Sequence, residues 1–155
     1  MIPPTDDLDR IMAVMAASFD PLYREAWTRR QVEDALVLGN CQYILVDEGG
    51  NTPADGAPAA GFSLLRTSLD EEELLLFAVD PAYRRRGLGL ARLRSMAQRA
   101  AARCIVRVVL EMRRGNPAES LYRKFGFQVV GERPEYYRTS TGDRLDAITF
   151  AREIP

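Results

Sequence analysis

The stretch DPAYRRRGLGLARLRSMAQRA, Asp80 to Ala100, decides the fold. It continues the run EELLLFAVD, Glu72 to Asp80, whose nearly unbroken apolar residues read as a central strand buried on both faces. The chain turns at Asp80-Pro81 and passes three arginines. From Gly87 to Arg103 it then takes up helical spacing, with Leu90, Leu93, Ala97, Ala100 and Ala101 on one side. Gly87 and Gly89 let the backbone approach a ligand closely, and the first N–H groups of the helix have no partner within it. Together with the helix dipole they form an anion site, strongest for phosphate, and Arg84, Arg85 and Arg86 surround it with positive charge. On these residues alone a solvated basic helix start and a nucleic-acid contact remain open. No Walker A loop is present, and Arg92 stands where a dinucleotide fingerprint requires Gly or Ala.

Outward from this junction the elements alternate. Asp7 to Phe19 carries Leu8, Ile11, Met12, Met15 and Phe19 at helical spacing. A second helix starts at Thr28, with Gln31 closing a reciprocal capping box. CQYILVDEG reads as a strand, GGNTPADGAPAAG (49–61) as a flexible connection, and FSLLRTSLD as a further strand. CIVRVVLEM predicts a strand from Cys104. A short helix is expected over Asn116–Phe125, with an Asn cap, Pro117 in its first turn and Gly126 as its stop. FQVVGERPEYY and DRLDAITFAREI close the chain as strands around the turn TSTGD. This is a mixed α/β pattern in one domain, residues 1–155, and a chain of that length buries roughly 70% of its unfolded surface without metals or disulfides.

Composition narrows the function. A net charge of −1 argues against broad electrostatic binding of nucleic acid. The start MIPPTDDLDR lacks a basic segment followed by an apolar one, and no apolar run reaches membrane-spanning length, so a cytoplasmic protein is expected. Cys41 and Cys104 form no ligand pattern, and no metal is expected. The chain has no histidine, which removes Ser-His-Asp and Cys-His catalysis. Acid–base work at neutral pH falls to Glu, Asp, Tyr, Lys, water or the substrate.

The pattern R-x-x-G-x-G at Arg84, Gly87 and Gly89, after LLLFAVDPAY, resembles the coenzyme A loop of the GNAT-superfamily N-acetyltransferases. Through AVDPAYRRRGLG, LEMRRGNPAESLYRKFGF and EYYRTSTGDRLDAI the chain is most similar to the bacterial ribosomal-protein-alanine N-acetyltransferases of that superfamily. It departs from them in the few residues before Leu8, too few for a full first strand, and in the insertion 49–61. The resemblance implies a GNAT-like α/β (α+β) fold: a mixed, mostly antiparallel central sheet of about six to seven strands flanked by about four helices. It implies acetyl-CoA as co-substrate, with Arg85, Arg86, Gly87, Leu88, Gly89 and Leu90 wrapping the pyrophosphate mainly through backbone N–H groups. Phe77, Ala78 and Val79 would lie along the acetyl and pantetheine arm. A bulge there would free an N–H for the thioester oxygen, a device worth about 3–4 kcal/mol in other oxyanion holes.

Two residues are implied for the chemistry. Glu111 alone reads as a surface carboxylate at a strand end, and the resemblance makes it the general base, acting directly or through water. Tyr122, which shares a helical face with Ala118, Leu121 and Phe125, alone reads as a core tyrosine; the resemblance makes it the general acid for the departing sulfur. Asn116 has a cap to make and the pantetheine arm to bond. Trp27, Tyr136 and Tyr137 are candidates for an acceptor groove and equally for strand or core aromatics. The implied reaction is direct acetyl transfer to a primary amine, with the N-terminal α-amine of a ribosomal protein as acceptor. A lysine or small-molecule amine acceptor, or a non-catalytic acyl-CoA-binding module, are the alternatives; the presence of both Glu111 and Tyr122 argues against the last.

Overall fold

A computed structural model describes residues 5–84 and 87–154. Among these, helix α1 (Thr5–Ser18) buries Leu8, Ile11, Val14 and Met15. A one-turn 3-10 helix (Pro21–Tyr23) leads to α2 (Arg29–Val37), which begins on the anticipated capping box. Thr28 Oγ1 accepts from the Gln31 N–H at 3.2 Å, and Gln31 Oε1 accepts from the Thr28 N–H at 2.8 Å. The strands are β1 (Cys41–Val46), β2 (Gly61–Ser68), β3 (Glu71–Val79), β4 (Arg107–Arg113), β5 (Gln128–Arg138) and β6 (Arg144–Glu153). A second 3-10 turn (Pro81–Tyr83) precedes α3 (Leu88–Ala102), and α4 (Glu119–Lys124) lies between β4 and β5. None of the helices among the described residues is long and apolar enough to cross a membrane.

The strands form one sheet in the order β1-β2-β3-β4-β6-β5, antiparallel throughout except for β3 and β4. One face packs on α1 and α2 through Leu8, Ile11, Val32, Phe62, Leu64, Leu76 and Ala78. The other packs on α3 and α4 through Leu65, Leu74, Leu93, Met96, Leu110, Tyr122 and Phe127. Leu74 and Leu76 would share a face in a regular strand. They lie in opposite cores because β3 carries an extra residue, Leu75, where the register passes from Leu64↔Leu76 to Leu65↔Leu74.

Several expectations need correction. The bulge lies at Leu75, ahead of Phe77–Val79, which keep regular register with β2. The strand expected from Cys104 begins at Arg107; Cys104 sits in a left-handed turn (φ 62°) that reverses the chain after α3. The helix expected from Asn116 begins at Glu119, because Asn116 Oδ1 accepts from the Ala118 N–H (2.8 Å) and caps a turn ahead of it. The buried stripe of α3 is Leu88, Arg92, Leu93, Met96 and Ala100, so Ala101 is exposed and an arginine faces inward. The 49–61 connection is tied to α1: Arg10 donates to the carbonyls of Ala57 (2.8 Å) and Ala54 (2.5 Å).

Candidate active site

Strands β3 and β4 pair only from Glu71↔Arg107 to Leu74↔Leu110. At the next residue β3 bulges and the two strands part, β3 following β2 and β4 following β6. The Asp80 N–H donates to Ala60 O at 2.8 Å, which fixes the parity of the β2–β3 ladder. The backbone groups of Ala78 therefore face β2, and those of Phe77 and Val79 face the open side, where β4 no longer pairs with them. A sheet parted in this way offers unpaired backbone donors and acceptors to an extended ligand.

The opening is a cleft of about 290 Å³. It brings together six of the candidate residues, Trp27, Phe77, Glu111, Asn116, Tyr122 and Tyr137, from five parts of the chain. The carboxylate of Glu111, which lies within β4 opposite Thr149 of β6 and not at the expected strand end, is about one-fifth exposed (22%). Arg133 Nε lies 3.3 Å from Oε2, and Thr149 Oγ1 donates to the same oxygen at 3.4 Å. Both contacts fall on Oε2; neither touches Oε1. Tyr122, on α4, is buried edge-on between Phe77 and Phe127, with ring centroids 6.0 and 5.8 Å away. Its hydroxyl bonds to none of the described residues. Burial pushes the phenol above its ordinary range; the Arg92 charge opposes that shift and Glu25 adds to it. Burial, then the charges of Glu111 and Glu25, push Tyr137 up to about 12. Both phenols stay protonated at neutral pH. Tyr136, by contrast, is exposed and lies outside the cleft, its ring stacked edge-on against Tyr137 at 5.3 Å.

Sequence reasoning missed the wall formed by the connection between α1 and α2. Phe19, Arg24, Glu25 and Ala26 line the cleft there. Glu25 is held by Arg113 Nε at 3.2 Å, and the Arg113 guanidinium lies 3.4 Å from the centre of the Tyr23 ring. Ser140, in the β5–β6 turn, donates its N–H to Leu22 O (2.8 Å). The only local signal was a charged and aromatic run, YREAW, between two helices. Nothing in its spacing tells which strand it meets.

Gly87 caps α3 in the left-handed region (φ 74°) with no side-chain cap, and the first N–H groups of α3, from Leu88, Gly89 and Leu90, have no partner within the helix. The space around Gly87 is clear; its backbone angle is what calls for glycine. At Gly89 a Cβ would lie 2.7 Å from Leu121 Cδ2, so this glycine also lets α3 pack on α4. Arg84 donates to Val79 O (3.0 Å) and Ser18 O (3.3 Å), tying the end of β3 to the end of α1. Arg85 and Arg86 lie outside the described residues. A second cavity, of about 240 Å³, lies beneath the C-terminal end of α3, away from these groups, and its buried Glu72 is ion-paired with Arg103.

Residues 39–129 match the acetyltransferase (GNAT) domain family. The [ribosomal protein bS18]-alanine N-acetyltransferase of Escherichia coli is 40% identical over 96 residues, 61% of this chain and 64% of that protein. That of Haemophilus influenzae is 34% identical over 91 residues, 59% and 62% of the two chains. The matches thus span less than two thirds of these curated relatives. A crystal structure of the ribosomal-protein-S18-alanine N-acetyltransferase from Escherichia coli superposes with a TM-score of 0.81 at 28% identity, covering 99% of this chain and 92% of that one.

Proposed function

Because the chain belongs to the GNAT acetyltransferase family, we propose that it moves the acetyl group of acetyl-CoA directly to a primary amine, the N-terminal α-amine of a ribosomal protein. The observation that carries this reading is the parted sheet, with a carboxylate on β4 and a buried phenol on α4 facing one cleft. The cytoplasm, where ribosomal proteins and acetyl-CoA meet, is the proposed setting. The residues present fit the donor. The open N–H groups at the start of α3 suit a pyrophosphate, and the open edge of Phe77 and Val79 suits an amide-bearing arm. Asn116 keeps its side-chain nitrogen for the same arm, its oxygen being spent on the cap.

In the proposed reaction Glu111 takes the proton of the acceptor ammonium, directly or through water. The freed nitrogen lone pair forms the N–C bond at the thioester carbon, and the nitrogen, now cationic, releases its second proton to water. The C–S bond breaks, and sulfur leaves with the bonding pair. The Phe77 N–H, which faces the opening, would donate to the thioester oxygen. Tyr122 donates its O–H to the sulfur. Its raised pKa changes the role first expected of it: a thiol near 8.5 is a stronger acid than this phenol, so Tyr122 holds the thiolate by a hydrogen bond and keeps its own proton.

The α-amine acceptor agrees with such a modest base. At pH 7 an α-amine of pKa about 7.7–8.0 is roughly a tenth to a sixth neutral, and a lysine of about 10.4 only some 0.04%. The test offers acetyl-CoA and peptides carrying both an N-terminal alanine and an internal lysine, with the site of acetylation read by mass spectrometry. Acetylation of the N-terminal alanine is expected. Acetylation confined to lysine or small amines would overturn the acceptor and leave the donor; binding without transfer would leave only an acyl-CoA-binding module.

A further inference from the structure

Arg92 is the buried charge that this reaction scheme does not use. It projects from the second turn of α3 onto the sheet and is 5% exposed. Its Nη1 donates to Ala78 O at 2.7 Å, and its Nη2 donates to Ser63 Oγ. The guanidinium carbon lies 4.4 Å from the centre of the Phe77 ring, and Nε has no partner among the described residues. All its partners are neutral: a carbonyl, a hydroxyl and a ring. Residue 61 is glycine where the guanidinium passes, and a Cβ there would stand 2.6 Å from Nη1. A buried cation without a carboxylate is costly, and β2, β3 and α3 are all shaped to hold this one.

Phe77 has Arg92 against its ring and Tyr122 edge-on to it, and its backbone faces the opening. We propose that Arg92 is a positioning residue whose fixed positive charge, held behind Phe77, stabilises the coenzyme A sulfur as an anion when the thioester breaks. The inference rests on the acetyl-transfer reading above. It answers a need of that chemistry, because Tyr122 holds its own proton too tightly to neutralise the sulfur. Burial pushes Arg92 down to about 9, which leaves it charged at neutral pH. The other titratable groups facing the cleft are Glu25 from the α1–α2 connection, Glu111 from β4, Tyr122 from α4 and Tyr137 from β5. The two carboxylates would raise a thiol's pKa, and their partners Arg113 and Arg133 are paired to them. Arg24 is a cation at the exposed mouth of the cleft.

The experiment measures the calorimetric Kd of coenzyme A and of acetyl-CoA, which has no thiol to ionise, from about pH 6 to about pH 8, a window in which Arg92 stays charged. In the wild type, coenzyme A should gain about threefold on acetyl-CoA as pH rises, the signature of a thiol whose pKa is lowered by about one unit, from about 8.5, on binding. Arg92→Met and Arg92→Gln should both bind acetyl-CoA and lose that gain. A flat ratio in the wild type, or a gain that survives in Arg92→Met, would overturn the inference alone. Should Arg92→Met fail to fold, a gain that survives in a folded Arg92→Gln would overturn it, because the glutamine keeps a donor for Ala78 O and drops the charge. A wild type that binds neither ligand would overturn the acetyl-transfer reading and this inference with it.

Discussion

At Glu111 a side chain that reads from its neighbours as surface lines the cleft, and the proposed role as base rests on what faces it there. We predict that Glu111→Gln lowers kcat about 10²-fold, at the low end for a general base, with acetyl-CoA affinity changed less than threefold. The loss should shrink with rising pH, as more of the acceptor arrives neutral. Steady-state rates on an N-terminal alanine peptide at pH 7 and 9 decide it; a wild-type kcat at pH 7 would leave Glu111 only as the partner of Arg133. Glu111 and Tyr122 could be singled out as candidates because each lies in a contiguous motif that carries the family resemblance, and both line the cleft. Arg92 was not. It falls on the buried side of α3 only because Gly61, far off in the chain, leaves room for it and Ser63 and Ala78 accept its protons. Periodicity sees neither.

Among the elements, β2 and β3 hold the Arg92 guanidinium, and their close approach at Gly61 can be tested. A Cβ at residue 61 would also meet Ala78 O at 2.8 Å, so Gly61→Ala must move backbone as well as Arg92. Such overpacking costs about 1–3 kcal/mol, which for a domain of this size lowers Tm by roughly 2–10 °C. Gly131→Ala on β5, where the nearest atom is 3.9 Å away, serves as the control and should change Tm far less. Thermal unfolding followed by circular dichroism compares the two, and equal shifts would reject the clash. The legible elements were those with local causes. The Thr28–Gln31 box is complete within four residues and formed as read. The bulge at Leu75 was misplaced because LLLF is apolar at every position and satisfies either register. The helix expected from Asn116 starts later because an Asn side chain caps a turn as readily as a helix.

Over the whole molecule, the order of strands and helices was readable from alternating periods and turn residues, and the GNAT-like sheet was what the family resemblance implied. The wall built by residues 19–27 was not, since a connection shows its neighbours only once the chain has folded. The parted strands have one more consequence, for how the backbone breathes. β3 and β4 share four residue pairs, against eight between β2 and β3 and seven between β4 and β6. Beyond those four, the amides of Phe77 and Val79 lack a ladder and need little or no opening to trade their hydrogens with water. An extended ligand laid in the gap would serve as the missing rungs. By hydrogen exchange, the Phe77 and Val79 amides should be fast in the free protein and slow about 100-fold with coenzyme A at 100 times its Kd. The Ala78 amide, already paired to β2, should show no comparable slowing. Equal slowing along all of β3 would mean that the ligand tightens the fold as a whole rather than filling the gap.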